Sequence, residues 1–146
     1  VEAAASERAA RLAFADFAGA APGAEAAFLA LSPEQKARYF IDRGNYAAAW
    51  EAWPGKESLG IVERLQSARL ALLAGREKDA QERIALLAGE NEGDHRVLNS
   101  IGNLLFDLKR AEEALPFYRE SLRLAPSQEA LRSRAEWIAR AASRDD

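Results

Sequence analysis

The chain has no cysteine, no methionine and a single histidine, His95. Without thiols it has neither a disulfide framework nor a thiolate metal site, a composition that suits any compartment. One imidazole cannot supply a metal centre alone, and no spaced carboxylate set accompanies it. No glycine-rich stretch has phosphate-loop spacing, and no serine stands in a nucleophile motif with His95. Extended runs of Val, Ile and Thr are missing, which removes the usual material of a sheet. Apolar runs are short and broken by charge, and none approaches the ~20 residues that span a bilayer. Charge of one sign is lacking too. The 20 Lys and Arg are interleaved with 23 Asp and Glu for a net charge of -3, so there is no overall basic footprint for nucleic acid. These absences predict a chain that is not an enzyme, uses no cofactor or metal, binds no nucleic acid and does not insert directly into a membrane.

What remains is helix-forming material. Of 146 residues, 49% are apolar, much of that alanine, and 29% are charged. Alanine is the strongest helix former and takes little room. We expect an all-α domain with one continuous core. The chain starts at Val1 without a secretory signal pattern and contains no Met. That reads as a processed chain or part of a longer one, with room for a leader or membrane anchor ahead of it.

Residues 1–31 are Ala-rich. Glu2 to Ala18 suits one amphipathic helix carrying Leu12, Phe14 and Phe17. Gly19 to Gly23 is a break, and Ala24 to Leu31 suits a short second helix. Three roles are open for this segment: a cap on the rest of the fold, an arm that docks on another subunit, or a tether. Ser32-Pro33-Glu34-Gln35 is a helix start, with Ser32 as cap, Pro33 at the first helical position and Gln35 closing a capping box. That helix runs to about Arg43, where Gly44 ends it. A second begins at Asn45-Tyr46 and is cut by Pro54-Gly55. Glu57 to Ala74 predicts a long helix ended by Gly75, with Arg76 to Ala88 as its partner. Gly89 to Gly93 predicts a mobile loop. Asp94 caps Arg96 to Leu108, and Ala111 to Leu124 follows with Pro116 inside it. Ser127 is expected to cap a last helix, Gln128 to Ala142. Its apolar stripe is Leu131, Ala135, Ile138 and Ala142. Trp137 stands off the stripe, either as a half-buried flank or as part of a contact surface. Ser143 to Asp146 should fray.

The pairs repeat. Shifted by 34 residues, Ala68 meets Gly102, Leu72 meets Phe106, Ala80 meets Ala114 and Ile84 meets Tyr118. Small residues recur where two helices would cross closely, and bulky ones recur where the gap must be filled. In His95 to Gln128, the residues Ile101-Gly102, Ala114, Tyr118 and Pro126 stand at the signature places of a 34-residue helix–turn–helix unit without a gap, and this stretch resembles a tetratricopeptide repeat. Gly44, Ala49 and Trp53 resemble the same unit in shortened form. Glu92 replaces the closing proline of the middle unit. The resemblance implies a right-handed superhelical stack of antiparallel helix pairs, with about three repeats over residues 32–128 (32–56 short, 57–94 and 95–128). Residues 1–31 would form an N-terminal cap or arm, and 129–146 a C-terminal capping helix and tail.

It also implies a non-catalytic scaffold that binds a peptide or helical segment of another protein in the concave groove. By that resemblance the groove side chains are Arg38, Gln66, Arg69, Arg96, Asn99, Asn103, Asp107 and Arg134, with Glu34, Gln35, Asp42, Val62, Leu65, Leu73, Ser100 and Trp137 beside them. Amides can bond a peptide backbone, and Arg can pair carboxylates. The recurrence of Arg38, Arg69, Arg96 and Arg134, about one per unit, fits either a solvated helix face or an acidic partner. The carboxylate-gripping pattern of the chaperone-binding subclass is absent, since Glu34, Leu65 and Asn99 stand at its Lys places. The alternative is a structural protein that self-associates through its ends or N-terminal arm. A smaller resemblance joins Leu31-Ser32-Pro33-Glu34-Gln35 and Asp42-Arg43-Gly44-Asn45-Tyr46 to bacterial membrane-anchored proteins that pair such repeats with a von Willebrand-type domain. It leans the expected location, a soluble cytoplasmic or periplasmic one, toward the envelope.

Overall fold

Ser32 starts the first long helix of the described residues as its sequence dictates. In the computed structural model, which describes residues 24–54 and 60–144, its Oγ accepts from the Gln35 amide at 3.2 Å and Gln35 Oε1 accepts from the Ser32 amide at 2.8 Å. Both bonds of the capping box are thus formed, with Pro33 at the first helical position. Ser32→Ala removes the acceptor and strands an amide, so we expect a loss of ~1 kcal/mol. An unchanged urea midpoint would show that water replaces the hydroxyl at no cost.

Eight helices form the described residues, which contain no strand. They are α1 (Ala24–Leu29), α2 (Pro33–Asp42), α3 (Tyr46–Ala52), α4 (Ile61–Leu73), α5 (Glu77–Glu90), α6 (His95–Asp107), α7 (Ala111–Leu124) and α8 (Glu129–Arg144). The all-helical expectation holds for these residues. The helix expected over Glu2 to Ala18 lies outside them. None of the eight is long and apolar enough to cross a membrane.

The stops follow the sequence. Gly44 and Gly75 take φ of 74° and 75°, the left-handed conformation that lets a chain leave a helix without a Cβ clash. Asn45 Oδ1 accepts from the Ala48 amide at 3.2 Å and Asp94 Oδ1 from the Arg96 amide at 3.0 Å. Pro116 lies inside α7, which runs unbroken from Ala111 to Leu124.

Three boundaries differ from expectation. The helix expected from Glu57 starts at Ile61, because Gly60 is extended at φ -69° and ψ 137° and serves as its N-cap. Residues 55–59 lie outside the described part. Gly89 and Glu90 belong to α5, and a hydrogen-bonded turn replaces the expected open loop. Asn91 Nδ2 donates to the Leu87 carbonyl at 2.8 Å, and the Asp94 amide donates to the Asn91 carbonyl at 3.0 Å. The last helix begins at Glu129, which puts Gln128 rather than Ser127 just before it, and it runs on through Ser143 and Arg144.

The chain divides into two compact units, Val1–Ala80 and Gln81–Asp146. In the first, α2 packs on α3 and α3 meets α4. Their core joins Phe28, Phe40, Ala48, Ala49, Trp50, Leu70, Ala71 and Ala80. Phe28, Tyr39 and Phe40 form a triangle of edge-on rings with centroids 5.4 to 5.5 Å apart. Arg76 Nη2 reaches Glu51 Oε1 at 2.7 Å and ties the turn after α4 to α3.

In the second unit α6 packs on α7, and α7 on α8. Val97, Leu98, Ile101, Leu104 and Leu105 of α6 are buried, as are Ala114, Leu115 and Tyr118 of α7 and Ala135 and Ile138 of α8. Leu131 and Ala142 complete the α8 stripe as half-buried residues. Burial agrees at positions 34 apart: Ala68 with Gly102, Ala80 with Ala114 and Ile84 with Tyr118 are all buried, and Leu72 and Phe106 are both half-buried.

Candidate functional site

In the first unit α2 and α4 form the walls of a cleft of about 310 Å³. Ile41, Trp53, Leu70 and Leu73 give it an apolar lining, while Glu34, Arg38, Asp42, Gln66 and Arg69 supply the polar groups. Three causes put them there. The capping box fixes the start of α2, so Glu34, Arg38 and Asp42 recur every four residues along one side of it. Leu70 and Leu73 follow Gln66 and Arg69 at helical spacing on α4. Trp53 caps α3 in an extended conformation, and its Nε1–H donates to the fully buried Ser67 Oγ at 2.7 Å, which anchors the indole against α4.

The electrostatics of the cleft are open. Among the described residues, the side chains of Glu34, Arg38, Asp42, Gln66 and Arg69 make no hydrogen bond or ion pair. Two guanidinium groups and two carboxylates therefore line an apolar depression with no partner among those residues. Charged groups left in this state at a rim are solvated, and they can exchange water for a ligand at low cost.

The other expected groove residues lie in the second unit, where several are already engaged. Tyr118 Oη donates to Asn103 Oδ1 at 2.7 Å, and Arg134 Nη1 donates to the same oxygen at 3.1 Å. The Arg134 guanidinium lies 4.4 Å from the centroid of the Phe106 ring. Burial pushes the Tyr118 phenol above its ordinary range, and Arg134, through its hydrogen bond and its charge, pulls part of that rise back. Asn99 Nδ2 donates to Gln128 Oε1 at 2.7 Å. Gln128 Nε2 in turn donates to the Ala125 carbonyl at 2.9 Å and to Ser121 Oγ at 3.1 Å. Asn99, Asn103 and Arg134 thus tie α6, α7 and the approach to α8 together. Arg96 and Asp107 are exposed at opposite ends of α6. Gln35 is occupied by the capping box.

Of the eight residues expected in the groove, the structure brings Arg38, Gln66 and Arg69 together in one cleft. It joins Asn103 to Arg134 for a bond within the unit. Ile41, Trp53 and Leu70 were not foreseen as lining residues. Trp53 carried a signal: an aromatic residue directly before Pro54 ends a helix and turns back on the chain. Trp137 is 60% exposed, with its ring edge-on to Phe106 at 6.4 Å between centroids. It is therefore exposed rather than half-buried. Among the described residues there is no group of three or more His, Cys, Asp or Glu that could hold a metal ion. His95 is half-buried at the start of α6, and its carbonyl accepts from Ser121 Oγ at 3.2 Å.

No family model, no curated protein and no solved structure matches the chain.

Proposed function

We propose that the chain is a non-catalytic protein-binding scaffold whose helix pairs are repeats of the tetratricopeptide kind, and that the α2/α4 cleft is where it takes a helical or extended segment of a protein. Matching burial at positions 34 apart supports the repeat reading. One observation carries the binding reading: five polar side chains with no partner among the described residues surround an apolar lining. Asn103 and Arg134 have each other and Tyr118, so they have less to offer a ligand. The cleft lies at the small end of the ~300–1,000 Å³ range of ligand pockets, which suits one anchoring side chain better than a cofactor. Arg38 and Arg69 would pair an acidic group beside that anchor, and Gln66 would bond its backbone. The competing expectation, a protein that self-associates, differs in what fills the cleft.

The test is selection from a displayed peptide library against the whole chain, immobilised at nanomolar concentration. Enriched peptides are then titrated against the wild type and against Arg69→Ala and Asn103→Ala variants whose circular dichroism is unchanged. Each unpaired interfacial Arg is worth ~1–2 kcal/mol on truncation, so Arg69→Ala should weaken binding at least about fivefold and Asn103→Ala should leave it alone. Peptides that bind both variants like wild type, or a library that yields none, would remove the reading.

A further inference from the structure

We infer that the occupant of the α2/α4 cleft is helix α8 of a second copy of this chain, a conclusion that rests on reading the cleft as a helix-binding site. Glu34, Arg38 and Asp42 place acid, base and acid at four-residue spacing along the cleft wall, over about 12 Å of helix. Arg132, Glu136 and Arg140 place base, acid and base at the same spacing on α8. Neither pattern occurs anywhere else in the 146 residues. Both read the same in either direction, so three opposite-charge pairs form whether the two helices run parallel or antiparallel. Arg69, on the facing wall, adds a second guanidinium to the same cleft.

The apolar part of the interface is also present on both sides. Trp137 follows Glu136 directly and is 60% exposed, the largest exposed apolar side chain among the described residues. The cleft offers Ile41, Trp53, Leu70 and Leu73 to receive an apolar side chain. The edge contact with Phe106 already limits the rotamers of Trp137, so less freedom is lost on docking. Little has to be broken first. Glu136 and Arg140 are 3.5 Å apart but 57% and 72% exposed, a pair of small value in water. Arg132 bonds the Pro126 carbonyl through one nitrogen, which leaves its other donors available. The contact is heterologous: cleft and α8 are different surfaces, so after one contact one copy still offers its α8 and the other its cleft, and association continues into rings or open chains.

Sedimentation velocity from low to high micromolar concentration tests this with charge reversals. The wild type should gain mass with concentration and lose it with added salt. Arg38→Glu sets a new carboxylate against that of Glu136, and Glu136→Arg sets a new guanidinium against that of Arg38, so either variant alone should associate at least about tenfold more weakly. Mixing the two variants restores a complementary pair at every contact, as does combining both changes in one chain, so both samples should recover assembly. Trp137→Ala should weaken association without altering its salt dependence. A monomeric wild type, or single variants that assemble as the wild type does, or a mixture without rescue, overturns the second copy as the occupant. If such a chain still takes peptides in an Arg69-dependent way, the cleft reading survives. If it takes none, both fall.

Discussion

Gly102→Ala is expected to destabilise the protein by ~2 kcal/mol, although alanine is the better helix former. In an exposed helix the exchange would gain ~1 kcal/mol. Here a Cβ would stand 2.5 Å from Tyr118 Cε1, 2.7 Å from Cδ1 and 3.1 Å from Cζ. The ring has no easy retreat. Tyr118 is 0% exposed, its hydroxyl is held by Asn103, and Arg134 closes over the same oxygen. Overpacking of this kind costs ~1–3 kcal/mol, and the upper end applies when one new atom meets three atoms of a rigid ring. That exceeds the propensity gain. A double-mutant cycle isolates the cause: in a Tyr118→Leu background the obstructing ring is gone, and Gly102→Ala should become neutral or stabilising. If urea melts show Gly102→Ala as stable as wild type in the Tyr118 chain, the ring moves freely and the close crossing of α6 and α7 does not rest on this glycine.

That contact shows what could be read from the sequence and what could not. The small residue at 102 and the bulky one at 118 were legible as a matched pair, because helix crossings leave a size pattern along the chain. Starts and stops at Ser32, Gly44, Asn45, Gly75 and Asp94 were legible because a cap is made by residues within four of one another. Asn103 was legible as a polar residue on the side of α6 expected to face the groove, but its engagement was not. Its partners are 15 and 31 residues away, and whether an amide faces a ligand or a neighbouring helix depends on how those helices seat. The same limit applies to the cleft. Arg38 and Arg69 were named one by one, while the Trp53 indole that lines the same cleft depends on a 14-residue return to Ser67. The shift of the α4 start from Glu57 to Ile61 has a local cause, since Gly60 loses more entropy in a helix than in an extended cap.

The second large effect is expected at Phe40. Its side chain is 1% exposed and meets Phe28 at 5.5 Å and 72° and Tyr39 at 5.4 Å and 85°, both edge-on. Phe40→Ala deletes the ring from a triangle in which each member depends on the other two, and the cavity should cost ~3–5 kcal/mol. Against a typical total of ~5–15 kcal/mol, that is enough to leave the first unit partly unfolded at room temperature. Phe40→Leu keeps most of the volume and loses mainly the ring-edge contacts, so it should cost ~1–2 kcal/mol. Urea melts and near-ultraviolet dichroism read both, and a Phe40→Ala cost below ~1 kcal/mol would mean that Phe28 and Tyr39 close the gap between them. The consequence reaches the cleft. Phe40 lies between Arg38 and Asp42 on α2 and faces inward while they face out, so the charge spacing on the cleft wall exists only while this ring holds the helix in place. Phe40→Ala should therefore lose partner binding together with stability. Arg38→Glu should lose binding with stability intact, and the comparison separates a residue that seats the helix from one that meets the partner.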